Sequence, residues 1–122
     1  FTGRVDADTL RRIDPVTYEV AATNIDEYVE SNGIAPNFVK IDAESSEHDI
    51  LRGMERTLSR HRPAVSVEVG DMDINGVPPS RELIEFLRER GYQAHEFRPT
   101  EIIPHQTSDR YEYNNILFLY NS

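Results

Sequence analysis

The sequence contains no cysteine and no tryptophan among its 122 residues. Without cysteine, disulfide bonds, thiolate catalysis and cysteine-based zinc sites are excluded. This composition fits a reducing compartment, and we predict a cytoplasmic location. No apolar run approaches the ~20 residues of a membrane-spanning helix, and no basic stretch followed by an apolar one resembles a signal peptide. We therefore expect no membrane partner.

Basic residues are scarce. Lysine and arginine total 13 against 22 aspartate and glutamate residues, which gives a formal net charge of −9. A protein that binds nucleic acid usually has the opposite balance, because neutralisation of phosphates supplies most of the non-specific affinity. We therefore expect no nucleic-acid partner, and we interpret the acidic excess mainly as solvated helix faces.

Glycine is also scarce, with six residues at positions 3, 33, 53, 70, 76 and 91. No two of them form a Gly-x-Gly loop between a strand and a helix, which is the usual phosphate-binding turn of an open α/β sheet. The chain begins with Phe1 and not with Met. We expect residues 1–122 to form one partial domain whose cofactor-binding part precedes Phe1.

Short apolar runs alternate with helical patterns along the chain. This order predicts an α/β fold with a mainly parallel sheet covered on both faces. The expected helices follow caps at Asn24, at Ser45 or Ser46, and at Ser80. Residues 98–114 are too long for a simple connection and predict either a mobile lid or ordered structure over a site. The expected strands are Tyr18–Thr23, Phe38–Asp42, Ala64–Val69, Gln93–Phe97 and Asn115–Tyr120.

Two of the predicted strands end in acids. Asp42 and Glu44 follow the first of them, and Glu68 ends the second, with Asp71 just beyond it. Ligands of parallel sheets bind beyond the carboxyl ends of the strands, and neighbouring strands lie ~4.8 Å apart, so these acids would share one rim. Such carboxylates can bind a hydroxyl or a cation, act as a general base, hold a divalent metal ion, or cap the next helix.

The individual acids support these roles unequally. We interpret Asp42 as a functional residue, because the burial of an acid at the end of a buried strand costs free energy unless a partner compensates its charge. For Glu44 helix capping is an equal alternative, whereas Glu68 leans towards function. Asp71 is either an ordinary loop acid or, like Lys40 and Ser45, a contact to the substrate. No His-x-x-x-His spacing supports a zinc site, no Gly-x-Ser-x-Gly elbow supports a serine hydrolase, and we expect the histidines of the second helix region to be solvated.

Two motifs resemble a known family. The run from Thr23 to Tyr28 is similar to the Thr-Leu-Asp-x-Tyr/Leu segment of the FkbM-type methyltransferases. Phe38–Glu44, followed by Glu47 and by Leu51-Arg52-Gly53, resembles that family's Lys-Ile-Asp-Val-Glu-Gly-x-Glu…Leu-x-Gly signature. The likeness extends over residues 18–120 in the family's order and spacing. Ser45 stands where the family signature has glycine.

The resemblance implies the C-terminal portion of a Rossmann-like class I methyltransferase, with an antiparallel last strand inserted beside the fifth strand of the complete fold. It implies transfer of a methyl group from S-adenosylmethionine to an oxygen of a small molecule or sugar. Asp42 would orient or deprotonate the acceptor, or hold a divalent ion that does, while Glu44 and Glu68 assist. The fragment alone would be inactive.

Two other functions are compatible with the residues. The chain could be a non-catalytic α/β module that binds a partner, with acids that serve solubility and capping. Alternatively, the acidic strand ends could serve a magnesium-dependent nuclease or phosphotransferase, although the net charge argues against a polyanionic substrate. A sheet that lacks its first strands would also have an exposed edge, near Tyr18–Thr23 or Phe38–Asp42, through which the chain could form a homodimer.

Overall fold

A computed structural model describes residues 6–121, and of Leu10 only the backbone. Five helices and five strands are found in this range, in the order α1 (Ala7–Ile13), α2 (Ile25–Ser31), β1 (Phe38–Ile41), α3 (Glu47–Arg52), α4 (Glu55–His61), β2 (Ala64–Val69), α5 (Ser80–Glu89), β3 (Tyr92–Phe97), β4 (Ile102–Pro104) and β5 (Asn114–Tyr120).

The strands form one mixed sheet in the order β1-β2-β5-β3-β4. The prediction of a mainly parallel sheet is wrong, because β1 and β2 form a parallel pair while the other three pairings are antiparallel. The cause is the position of β5, which lies between β2 and β3 and runs opposite to both. Strands β1, β2 and β3 therefore share one direction, and the prediction of an antiparallel last strand is confirmed.

One face of the sheet carries the hydrophobic core. Alternate strand residues such as Val65, Val67, Ile116 and Phe118 are buried there, against apolar residues of α3, α4 and α5. The helical residues of this core are Leu51, Met54, Leu58, Leu83, Ile84 and Leu87. Burial of these side chains is the main stabilising term of the fold.

The opposite face of the sheet is open. Phe38 is 56 % exposed, Phe97 is 49 % exposed and Leu119 is 37 % exposed. By strand alternation these side chains share a face with Lys40 and Glu68. The described helices with buried residues that enter the core all lie on the other side. We call this the open face, and it differs from the prediction of a sheet covered on both sides.

The second predicted helix is divided into α3 and α4 at Gly53. A methyl group on Gly53 would lie 2.9 Å from Cβ of Asn24, so only glycine permits this close approach to the start of α2. Met54 then precedes α4 and has no side-chain oxygen to cap it. Asp26 of α2 supplies the cap instead, because its carboxylate accepts hydrogen bonds from the backbone N–H groups of Arg56 and Thr57 at 3.1 and 2.7 Å.

Residues 14–24 form no regular structure, so the predicted strand Tyr18–Thr23 is wrong. Val16, Tyr18 and Val20 have strand-like alternation but lie exposed. A strand requires a hydrogen-bonded neighbour, and none of the described strands pairs with this segment. Only the helix cap that follows is as predicted: the Asn24 side chain accepts from the Glu27 N–H at 2.8 Å.

Residues 98–114 are ordered. The chain turns into β4, which pairs with β3, and then contacts α5 at Arg88 and at Arg81 before it enters β5. We call residues 105–113 of this connection the strap. The structure thus gives this stretch a defined path, and the alternative of a mobile lid stays a prediction.

Candidate active site

The register of the parallel pair brings two of the predicted acids together. Ile41 of β1 lies opposite Val67 of β2. The next residues along the two strands are Asp42 and Glu68, so their carboxyl groups leave the sheet side by side at its carboxyl end. The condition under which the two acids share one rim, that their strands are neighbours, is therefore met.

A strained turn carries the third acid. The Ser46 N–H donates to the Ala43 carbonyl oxygen at 3.2 Å, which closes a β-turn with Glu44 and Ser45 at its centre. Both central residues have positive φ, 45° for Glu44 and 74° for Ser45. Positive φ at both central positions is the geometry of a type I′ turn, which favours Asn-Gly and is disfavoured for other residues. The Ser45 position therefore calls for glycine, the residue in the family signature.

Glu47 and Ser46 complete this turn. The Glu47 carboxylate accepts from the Ala43 N–H at 3.1 Å, and its side chain is buried. Ser46 precedes α3 as the sequence predicted, but its hydroxyl makes no capping bond. In the described part of the chain the buried Ser46 Oγ has no hydrogen-bond partner.

The acids surround a small cavity of about 30 Å³. Asp42, Glu44, Ser45 and Glu68 line it. The other lining residues include His48, Gly70, Met72, Val77, Pro78 and Tyr113. This volume is well below the ~300–1,000 Å³ typical of small-molecule pockets. The described residues therefore form one wall of a site and do not enclose a ligand.

A hydrogen bond between carboxyl groups, burial and charge repulsion all act on this wall. A hydrogen bond with the Asp42 carboxyl group raises the pKa of Glu68, and burial and the charges of Asp42, Glu44 and Glu47 raise it further. The same carboxylates, Glu44 foremost, raise the pKa of Tyr113. Close carboxyl groups cannot all ionise freely, so the cluster favours a shared proton.

The three predicted substrate contacts lie in different places. Ser45 is in the acidic wall. Lys40 points to the open face, where it lines a cleft of about 540 Å³ together with Glu68 and Tyr113. The structure shows no ion pair between Lys40 and any carboxylate in residues 6–121. Asp71 lies behind the wall, where its two oxygens accept from the Ser80 and Tyr111 N–H groups, both at 2.7 Å.

Two residues of the wall were missed at the sequence level. His48, expected to be solvated, is half-buried and lines the cavity. Burial lowers its pKa, although a hydrogen bond with the Pro79 backbone partly opposes this. Tyr113 reaches the site from the strap. No local signal marks either residue, because their positions depend on how distant segments pack.

Comparison with known families agrees with this geometry. A family model described as the methyltransferase FkbM domain matches residues 3–94. The chain belongs to the FkbM methyltransferase family. No curated protein and no solved structure matches it.

The FkbM signature residues divide into two groups in the structure. Asp26 and Gly53 are structural, since the first caps α4 and the second lets α3 and α4 approach Asn24. Asp42 and Glu44 face the cavity. The candidate site of this FkbM chain is the cavity at the carboxyl ends of β1 and β2.

Two further observations limit the chemistry of this FkbM chain. Across residues 6–121 no group of three or more histidine, aspartate or glutamate side chains could hold a metal ion. The divalent ion considered from the sequence is therefore not supported. No helix in the described ranges is long and apolar enough to cross a membrane.

Proposed function

We propose that this chain provides the acceptor side of an S-adenosylmethionine-dependent O-methyltransferase, which acts on a hydroxyl group of a small molecule or sugar. The observation that carries the proposal is the paired exit of Asp42 and Glu68 from adjacent parallel strands of a chain in the FkbM family. Hydroxyl donors suit this site, because ionised carboxylates only accept hydrogen bonds.

Asp42 is the proposed base. It follows β1 directly and its position is fixed by the sheet, whereas Glu44 lies in the adjacent strained turn. The cofactor supplies the methyl group. Asp42 orients the acceptor hydroxyl and accepts its proton, and positioning of this kind can contribute much of the rate. The hydrogen bond with Asp42 raises the pKa of Glu68, so Glu68 can hold a proton beside Asp42.

The cofactor-binding part of the domain is proposed to lie outside residues 1–122. Three features support this: no Gly-x-Gly turn is present in the sequence, the cavity is too small to enclose the cofactor, and the sheet has an open face with exposed Phe38 and Phe97. Large apolar side chains exposed on a sheet face are candidates for a packing interface. The Rossmann-like class I architecture is part of the same proposal.

Substitution of Asp42 tests the assignment. In the natural full-length protein, Asp42→Asn should reduce the rate of methyl transfer by roughly 10²–10⁴-fold, the range for loss of a general base, with little change in cofactor affinity. Asp49→Asn is the matched control, because Asp49 lies exposed on α3 outside the cavity. Unchanged turnover in Asp42→Asn would rule out the assignment.

Calorimetric titration with S-adenosylmethionine tests the proposed division of the domain. The full-length protein should bind the cofactor, and the 122-residue chain should show no measurable binding heat. Micromolar binding by the chain alone would show that the cofactor half is not missing.

The free edge of β1 is the proposed contact with the rest of the domain. In the isolated chain this edge is open to a second copy, because unpaired strand edges recruit other strands. We expect analytical ultracentrifugation to show that the 122-residue chain dimerises as its concentration rises. The full-length protein should not dimerise through this edge. A chain that stays monomeric at high concentration would contradict this. The cytoplasmic location stays a prediction.

A further inference from the structure

Tyr113 occupies the junction of two concave surfaces. It lines both the acidic cavity and the cleft of the open face. Its ring lies over Gly70, where an added methyl group would be 3.6 Å from the ring Cδ1. The phenol hydroxyl donates to Met72 Sδ at 3.2 Å. Tyr113 therefore forms the rim that connects the carboxylates to the open cleft.

Packing alone does not explain this location. Tyr113 is 62 % exposed, whereas Tyr111 two residues earlier is 5 % exposed. A tyrosine left in water forgoes most of the hydrophobic stabilisation that its ring can provide. An aromatic ring that is exposed beside a polar cleft offers a ligand both an apolar face and a hydroxyl group.

Asp71 fixes the backbone beside Tyr113. Its Oδ1 accepts from the Ser80 N–H and its Oδ2 from the Tyr111 N–H, both at 2.7 Å. The Asp71 N–H in turn donates to the Tyr111 carbonyl oxygen at 2.9 Å. One carboxylate thereby joins the end of β2, the start of α5 and the strap.

The strap has further anchors on both sides of Tyr111. The His105 ring nitrogen Nε2 lies 2.7 Å from the Tyr111 hydroxyl oxygen, and the His105 N–H donates to the Ala94 carbonyl oxygen at 2.9 Å. Side-chain contacts also join the strap to α5 and to the loop after β2: Arg88 to Thr107 at 2.9 Å, Arg81 to Asp109 at 3.2 Å, and Arg110 to Asp73 at 2.6 Å. A segment held at this many points presents Tyr113 in a defined position.

We propose that Tyr113 contacts the hydroxyl-bearing acceptor and that Asp71 is the positioning residue that holds Tyr113 in place through the strap. This inference rests on the proposed function. It also assigns Asp71 a different role from the direct substrate contact predicted from the sequence, since both of its oxygens are already bonded to backbone N–H groups.

The test is an NMR titration of the chain with methyl α-D-glucopyranoside, a neutral probe with free sugar hydroxyls. Amide shifts should concentrate at Gly70, Tyr113 and the residues after β1. Tyr113→Ala should weaken probe binding by about fivefold, which corresponds to loss of one aromatic contact. Tyr28→Ala is the matched control, because Tyr28 is a similarly exposed tyrosine on α2.

Asp71→Asn should weaken probe binding and shift the ring resonances of Tyr113. The asparagine amide oxygen can still accept from one of the two backbone N–H groups, but the amide NH₂ group is a donor and cannot bond the second. Asp26→Asn controls for lost stability, since Asp26 also accepts backbone N–H bonds but lies away from the cavity. It should unfold more easily and leave probe affinity unchanged.

Failure of the two proposals can be distinguished. Methyl transfer from radiolabelled S-adenosylmethionine by the full-length protein tests the proposed function, and probe binding needs no cofactor. Absent probe shifts at Tyr113, equal affinity in Tyr113→Ala, or equal losses in Asp71→Asn and Asp26→Asn would each overturn the inference. If no methyl transfer occurs but the probe effects hold, the ligand contact stands and the proposed reaction fails.

Discussion

Replacement of Ser45 by glycine tests whether the turn beside Asp42 stores backbone strain. Ser45 has φ 74° and follows Glu44 with φ 45°, in the turn closed by Ala43 and Ser46. A residue with a Cβ atom in the left-handed region costs roughly 1–2 kcal/mol, whereas glycine adopts it freely. The local signature of the family has glycine at this position, so the substitution restores the residue that the backbone favours.

The expected magnitude is the difference of two terms. Glycine removes roughly 1–2 kcal/mol of strain from the native state, but it also increases the entropy of the unfolded chain, which costs about 0.4–1 kcal/mol. The net gain relative to Ser45→Ala is therefore about 1 kcal/mol, and this comparison cancels the lost hydroxyl group of Ser45. For a domain of this size such a gain raises the melting temperature by about 4 °C.

Thermal and urea unfolding followed by circular dichroism measure this difference. Ser59 on α4 provides a matched control, because it is exposed and its hydroxyl also bonds a backbone carbonyl, that of Arg56 at 3.2 Å. In a helix glycine is about 1 kcal/mol less favourable than alanine. Ser45→Gly should thus be more stable than Ser45→Ala, whereas Ser59→Gly should be less stable than Ser59→Ala. Equal stability of the two Ser45 variants would refute the strained-turn argument.

Two acids give further predictions. Glu68→Gln should raise the melting temperature at neutral pH. Because the pKa of Glu68 is raised in the folded state, its contribution to the free energy of unfolding is complete below the ordinary value of 4.5 and is lost as pH rises through the folded pKa. Glutamine stays neutral and does not lose this contribution. The gain should shrink as the solution is acidified, and an unchanged or lower melting temperature at neutral pH would contradict it. Asp26→Ala should destabilise the fold by about 3 kcal/mol, because it removes three hydrogen bonds to a buried carboxylate that caps α4. Burial raises the pKa of Asp26, but hydrogen bonds from Thr57 and Arg56 outweigh burial, and the pKa is lowered overall. Urea unfolding should therefore show the stability difference between the wild type and Asp26→Ala above pH 3.8, the ordinary pKa, and the difference should disappear at lower pH. A loss that is the same at every pH would contradict this assignment.

The core elements of the fold were predictable because their signals are local. Apolar runs located β1, β2, β3 and β5, and the helical spacing of Leu83, Ile84 and Leu87 located α5. The pairing of strands was not predictable from periodicity, since the antiparallel position of β5 between β2 and β3 depends on a long connection through the strap. Only the family resemblance implied that arrangement.

Two errors have a common physical cause. The Tyr18–Thr23 segment has strand-like alternation, but a strand exists only with a hydrogen-bonded partner. The second predicted helix has an apolar stripe, yet it divides at Gly53, and Asp26 of α2 caps the new helix that starts there. In both cases a distant segment decided the outcome, and local periodicity carries no information about such contacts.

The residues of the candidate site also differ in whether local sequence patterns could place them. Asp42 and Glu68 could be placed together from the sequence, because two consecutive parallel strands with acids at their ends bring them to one edge. Tyr113 could not, since it ends a strap whose path is set by hydrogen bonds to Asp71 and by an ion pair between Asp109 and Arg81 of α5. Candidate site residues at strand ends are thus visible in the sequence, whereas residues such as Tyr113, which reach the cavity from a distant segment, depend on tertiary contacts. For this chain the second group is the one that should distinguish it from other members of the FkbM family, because strap loops vary more freely than strand ends.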